Sequence, residues 1–283
     1  MTVQSHPQVT RDLRLAARQG LLPARGSGWL AGFGNMLGKE LGEWFRTRRW
    51  LWQLLIWLTI INGFMAFFLS VVPLIYPAAV QAEGALPPEV LGLAIYFSIT
   101  VIGGSIGMII LAQDEIIQEK QSGTAAWILS KPAARQSFIL TKLLSNIVGA
   151  LVFIVALPGL VALGEFFLVT HRVAPLVLFL AGMGVVLLAL IFYVSLVILL
   201  GVLFESRGPV LAIAFGIIFG CRIIANYVPQ IAYVLPVSMD GVAVAVVQGV
   251  PLPALAVSQV ISTAVLSIVF ILVALWRFKH IEL

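Results

Sequence analysis

Charged side chains make up only 10% of this 283-residue chain, against 61% hydrophobic residues. Soluble domains carry about 25% charged residues, so this shortage excludes a water-soluble globular domain. Cysteine occurs once, at Cys221, which excludes an internal disulfide. Set in an apolar run, Cys221 reads as a small packing residue. The three histidines, His6, His171 and His280, lie in separate regions, and without a Cys/His cluster no metal site is expected. A phosphate-binding loop is missing too. Gly34-Asn-Met-Leu-Gly38-Lys39 comes nearest, but its glycines are four rather than five residues apart, and Glu40 stands where a magnesium-binding Ser or Thr belongs. No nucleotide or other cofactor is therefore expected on this chain. An intramembrane protease needs a Ser and a His at one depth, or paired Asp residues; every His lies outside the apolar runs, and no run holds two Asp. The chain is not expected to be an enzyme. Its first 35 residues are polar, so a cleaved secretory signal is not expected either.

What is present is a series of long apolar runs and a mean hydropathy of +1.08. Runs near 20 residues specify helices rather than the short alternating strands of a barrel. The expected fold is an all-α membrane protein with six transmembrane helices, at residues 51–72, 91–112, 143–165, 175–203, 209–228 and 255–276. The fourth run is overlong for a core of about 30 Å and is expected to tilt or protrude. Pro209 and Pro229 suit the boundaries of the fifth. Residues 1–35 form an N-terminal tail and 36–283 the six-span domain.

The positions of the cations orient the chain. Fifteen of the seventeen Lys and Arg residues fall in the N-terminal segment, between spans 2 and 3, between spans 4 and 5, or after span 6. Basic loops stay in the cytoplasm, so both termini are expected there, in a multi-pass protein of the cell membrane. The basic character then reflects this bias and attraction to anionic membrane lipid, not nucleic-acid binding. On the other side, residues 229–254 carry only Asp240 as a charge, with the apolar stretch Val-Ala-Val-Ala-Val-Val at 242–247. That stretch is too short to span. It reads either as a helical hairpin dipping into the outer leaflet or as a packed loop.

Residues 36–50 carry Leu37, Leu41, Trp44 and Phe45 on one helical face, with Lys39, Glu40, Glu43, Arg46 and Arg49 on the rest. This is the pattern of a basic amphipathic helix lying among lipid headgroups; the alternative is an N-terminal extension of span 1. Inside the spans, Arg222 is the one basic residue. It is a candidate for the translocation pathway or for structural pairing, with Glu165 as a candidate partner and Asn226 on the same face. Gly103/Gly107 and Gly216/Gly220 have the spacing that permits close helix packing.

Between spans 2 and 3 lies a polar segment. Asp114, Glu115, Glu119 and Lys120 carry a helix out of the apolar run. Gly123 allows a break, Thr124 can cap a short helix starting at Ala125, and Pro132 stops it. Trp127, Ile128 and Leu129 then stand on the water side, either as a plug for a groove on another protein or folded back on the chain's own helices. The pattern Glu119-x-x-x-Gly123-Thr124, Leu129-Ser130-x-Pro132-x-x-Arg135 and Lys142 resembles the cytoplasmic loop of type-2 ABC exporter permeases, chiefly the small bacterial six-span ones. The resemblance covers residues 36–283. Where the family commonly has Leu, this chain has Ala125, Ala126 and Trp127.

The resemblance implies a transmembrane permease subunit in a bacterial plasma membrane. Gly123–Arg135 would be a coupling helix docked on a separate ABC ATP-binding subunit, present in two copies. ATP and magnesium would sit on that partner, and a second permease chain, identical or related, would complete a dimer. ATP-driven closure would move the spans and export a substrate. The competing function is a stand-alone secondary transporter or channel, which needs ionisable residues or broken helices at mid-membrane.

Overall fold

The computed structural model describes residues 28–46, 48–77, 86–124 and 134–280, with the side chain of Arg49 outside that description. Among these residues every regular element is helical. Six helices are long and apolar enough to cross a membrane: α2 (Trp50–Ile75), α3 (Pro88–Gln121), α4 (Arg135–Thr170), α5 (Leu176–Leu203), α6 (Arg207–Ala225) and α9 (Ala254–Lys279). The chain is thus a multi-pass membrane protein. Three shorter helices accompany them: α1 (Phe33–Arg46), α7 (Ile231–Val234) and α8 (Met239–Val247).

Helix ends depart from the apolar runs where packing outlasts hydropathy. After a turn at Gln113–Asp114, α3 continues past the apolar run to Gln121, as its polar continuation predicts, while α4 starts at Arg135 instead of 143. Both extensions mix polar residues with Ile116, Ile117, Phe138 and Ile139, all fully buried. Phe138 stacks flat on Phe278 of α9 at 5.1 Å. Tertiary burial therefore holds helix where local composition alone would not. Conversely α6 ends at Ala225, because residues 226–228 turn back on Ile223 and Ile224 ahead of Pro229.

The most apolar helix, α5, is also the central one, packing against α3, α4, α6, α8 and α9. Close approach is bought with glycine. A Cβ on Gly104 would lie 2.9 Å from Ile154, and one on Gly182 2.6 Å from Val247 of α8. The Gly103/Gly107 pair packs within the chain: the Trp57 ring fills the groove, 2.1 Å from a Cβ built on Gly107. At Gly216 and Gly220 nothing lies within 4 Å.

Several spans contain wide π turns, at Leu58–Asn62 and Phe67–Val71 in α2, Leu151–Ala156 in α4 and Gly216–Gly220 in α6. The turn in α4 has a cause in sequence. Pro158 has no N–H to give the carbonyl four residues back, so the ladder must shift there. α4 ends at His171, which takes the left-handed conformation at φ 54° and bonds back to Phe167 O at 2.9 Å, as helix C-termini commonly do.

Gly107→Ala is expected to cost about 1–3 kcal/mol, the usual range for overpacking. Gly216→Ala should be neutral or stabilising by up to about 1 kcal/mol, since it adds helix propensity in open space. Melting temperatures of the purified variants in detergent check both; equal destabilisation would contradict the packing.

Candidate functional site

The helical hairpin of α3 and α4 meets α1 at the end of the bundle that carries most of the basic residues. There the motif residues join a buried ionic knot. Lys142, on the first turns of α4, is 3% exposed. Its Nζ lies 3.2 Å from Glu119 Oε1 and 3.3 Å from Glu40 Oε1. Lys39 Nζ approaches the same two carboxylates, at 3.5 Å and 3.9 Å, and Glu43 at 3.7 Å. Asn146 Nδ2 donates to Glu115 Oε2 at 2.7 Å, and the Phe138 ring lies 5.4 Å from the ammonium, within cation–π reach. Burial is the main influence on Glu40, pushing its carboxyl above the ordinary 4.5, and the nearby Glu119 and Glu43 act in the same direction.

The knot depends on how α1 docks. α1, which ends at Arg46, and α2, which Arg48 precedes as cap, are separate helices. The face of α1 against α4 is Met36, Glu40 and Trp44, at i, i+4 and i+8. Trp44 stacks on Phe153 at 5.7 Å and lies over Gly149, where a Cβ would come within 2.6 Å. Of the expected apolar face, Trp44 packs into the bundle and Phe45 is 51% exposed, while Glu40, read on the charged remainder of the helix, is buried. Arg46 is exposed, and the side chain of Arg49 is outside the described residues. The i+4 spacing of Glu40 and Trp44 was visible in sequence; the partner that lets a carboxylate share a face with Trp, Lys142, lies about a hundred residues away.

The polar segment opens on the break expected at Gly123. Gly123 has φ +70°, the left-handed region open to glycine. Just before it, Ser122 Oγ contacts Thr124 Oγ1 at 2.8 Å and accepts from the Thr124 N–H at 3.4 Å; the helix that Thr124 is expected to cap lies outside the described residues. Residues 125–133, with Trp127, Ile128, Leu129 and Pro132, lie outside the described residues. Arg135 Nη1 donates to the backbone oxygens of Phe278 and Lys279 at 3.4 and 3.1 Å. Arg207, which opens α6, pairs with Asp114 at 2.6 Å.

At the opposite end of the bundle, Arg222 pairs with Asp240 of α8, not with Glu165. Its Nη2 lies 2.9 Å from Oδ2 and its Nη1 3.4 Å from Oδ1. Ser98 of α3 donates to the same Oδ2 at 3.2 Å. Asp240 is buried, whereas the Arg222 side chain is 45% exposed. Asn226 Nδ2 reaches Arg222 O at 3.5 Å. Glu165 keeps one buried oxygen, Oε2, without a hydrogen-bond partner. The 229–254 stretch forms two short helices, and α8 packs into the bundle against α3 and α5. An apolar cleft of about 380 Å³ lies between α4 and α5, lined by Leu151, Val155, Gly159, Leu163, Met183 and Leu187 among others.

Residues 81–283 match the family described as Protein of unknown function (DUF2705). No curated protein matches the chain.

Removing Lys142 leaves Glu40 and Glu119 with only the half-exposed Lys39 as a counter-charge. Lys142→Met is expected to cost roughly 3–5 kcal/mol, as for a broken buried pair, while Glu40→Gln, which keeps an acceptor for Lys142, should cost far less. The pH dependence follows from the raised pKa of Glu40. The packed state holds that proton more tightly, so its contribution is complete below pH 4.5 and is lost as pH rises through the elevated value. Glu40→Gln should flatten that fall in melting temperature; an unchanged pH profile would remove Glu40 from the knot. At the other end, Arg222→Leu strands Asp240 and should destabilise by about 1–3 kcal/mol, and adding Asp240→Asn should recover part of the loss. A double variant no more stable than Arg222→Leu alone would show that the pair is not what the substitution removed.

Proposed function

We propose that this chain, which belongs to the DUF2705 family, is the membrane-spanning permease subunit of an ABC exporter. The observation that carries the reading is the ionic knot. Glu119 and Lys142, two widely spaced positions of the loop pattern, meet in space and are tied to α1 by Glu40 and Lys39. A segment so anchored transmits force to the spans, where a solvated loop would not. In this reading Gly123–Arg135 is the coupling helix, with Trp127, Ile128 and Leu129 as its apolar knob. It docks on an ATP-binding subunit, two copies of which bind ATP and magnesium and close on each other. The basic end then faces the cytoplasm, by the bias of Lys and Arg, with both termini inside a bacterial plasma membrane.

α1 lies in the headgroup plane, its exposed Phe45 and Arg46 toward lipid and phosphate. A second permease chain completes the transporter. The apolar cleft between α4 and α5 and the Arg222–Asp240 pair fit a lipid-like or amphipathic substrate, the cleft for its hydrocarbon and the pair for its polar group.

One observation favours the competing reading of a stand-alone transporter. Asn62 of α2 is buried with both amide atoms unpartnered, and Glu165 keeps an unpartnered oxygen. Polar groups left open inside spans are where ion-coupled carriers bind their ions.

Co-expression and co-purification with ABC ATP-binding subunits of the same genome separate the two. The pair is expected to assemble in lipid and hydrolyse ATP. Scrambling residues 124–132 should abolish assembly while leaving the chain's elution volume in detergent unchanged. Assembly that survives scrambling would sink the coupling reading, and substrate movement by the chain alone would establish the carrier.

A further inference from the structure

Lys120 follows Glu119 directly, yet it takes no part in the knot. Its Nζ donates to three backbone oxygens at the end of α5: Gly201 O at 3.2 Å, Val202 O at 3.3 Å and Phe204 O at 3.0 Å. Beside it, Gln121 Nε2 donates to Glu205 O at 2.8 Å. The last carbonyls of any helix lack partners within it, and the helix dipole favours a cation there. α5 has no basic residue in its own last turn. Lys120 supplies from α3 what the sequence of α5 lacks, and its three donors match the three acceptors. On the far side of the polar segment, Arg135 makes the corresponding contact with the end of α9.

We propose that Lys120 is a positioning residue that clamps the start of the coupling segment to the C-terminus of the central helix α5. Displacement of the segment then moves α5, and not α3 alone. The source of the displacement rests on the exporter reading; the clamp itself does not.

A disulfide trap tests the clamp in the full chain reconstituted in phospholipid vesicles. Cys221 is the only cysteine, so Cys221→Ser gives a clean background for Gln121→Cys with Glu205→Cys. With Lys120 present the pair should close quickly under a mild oxidant. Lys120→Met should slow closure by about tenfold, the population change expected from losing a charge-assisted hydrogen bond. Lys120→Arg, which keeps a cation with several donors, should restore the rate. An unchanged rate in Lys120→Met overturns the clamp.

Transmission is read separately, by maleimide labelling of native Cys221 in the complex with the ATP-binding subunit. ATP is expected to change the labelling rate, and Lys120→Met should erase that change while the subunit stays bound. A change that survives Lys120→Met overturns transmission through Lys120. No ATP effect in the wild-type complex overturns the exporter reading instead, and the disulfide rate then decides the clamp alone.

Discussion

A single ammonium group, that of Lys142, must stay paired where almost no water reaches it, and the basic end of the bundle is arranged around that need. Taking a charge out of water costs several kcal/mol even after relaxation. Two carboxylates from two other elements offset the cost, Glu119 from α3 and Glu40 from α1. Glu40 is in place only when α1 lies along α4 in one register. The apolar contacts demand the same register, since Trp44 reaches Gly149 and Phe153 only there. Buried ion pairs add little net stability compared with apolar packing. Their value lies in specifying one arrangement: if α1 slid by a residue, Glu40 would face away from Lys142 and the ammonium would lose a partner.

The opposite end solves a similar problem with fewer groups. Asp240 sits in the first turn of α8, where the helix dipole favours an anion. Its remaining hydrogen-bonding capacity is met by Arg222 of α6 and Ser98 of α3. One carboxylate thus pins a short helix against two spans, while Gly182 lets α8 press against α5. Between these polar ends the buried hydroxyls of Thr100, Ser195, Thr263 and Ser267 donate to backbone oxygens of their own helices, and against them Asn62, Ser105 and Glu165 stand out: each holds a buried atom with no partner. Inside a membrane such groups cost free energy with no structural return.

The six spans were legible in the sequence because the membrane makes composition decisive; a run of about 20 apolar residues has few other uses. The break at Gly123 was legible because few other residues adopt its backbone angle so readily. What escaped depends on distant partners. The helical start of α4 at Arg135–Thr141 looks like loop by hydropathy, and burial of Phe138 and Ile139 keeps it helical. Glu40 read as one of the charged residues off the apolar face because its counter-charge is far along the chain. Arg222 was paired with Glu165 on the basis of depth alone, whereas α8, a segment too short to span, brings Asp240 back into the bundle to meet it.

Transmission through such an assembly is a question of stiffness. Helices are rigid along their axes, and close-packed side chains shift between discrete arrangements rather than deforming smoothly. The weak points are the joints. A segment joined to the spans only through the chain would lose displacement in the turns at Gln113–Asp114 and Ser122–Gly123. Here the joints are bridged across the chain: to α1 and α4 by the knot, to α5 by Lys120, to α6 by Asp114 with Arg207, and to α9 by Arg135. Every bridge involves at least one charged group, and all lie at one end of the bundle. In the exporter reading, push or pull on the residues between Gly123 and Arg135 would reach five helices besides α3 at once, which is the property a membrane domain needs if a machine outside the membrane is to drive it.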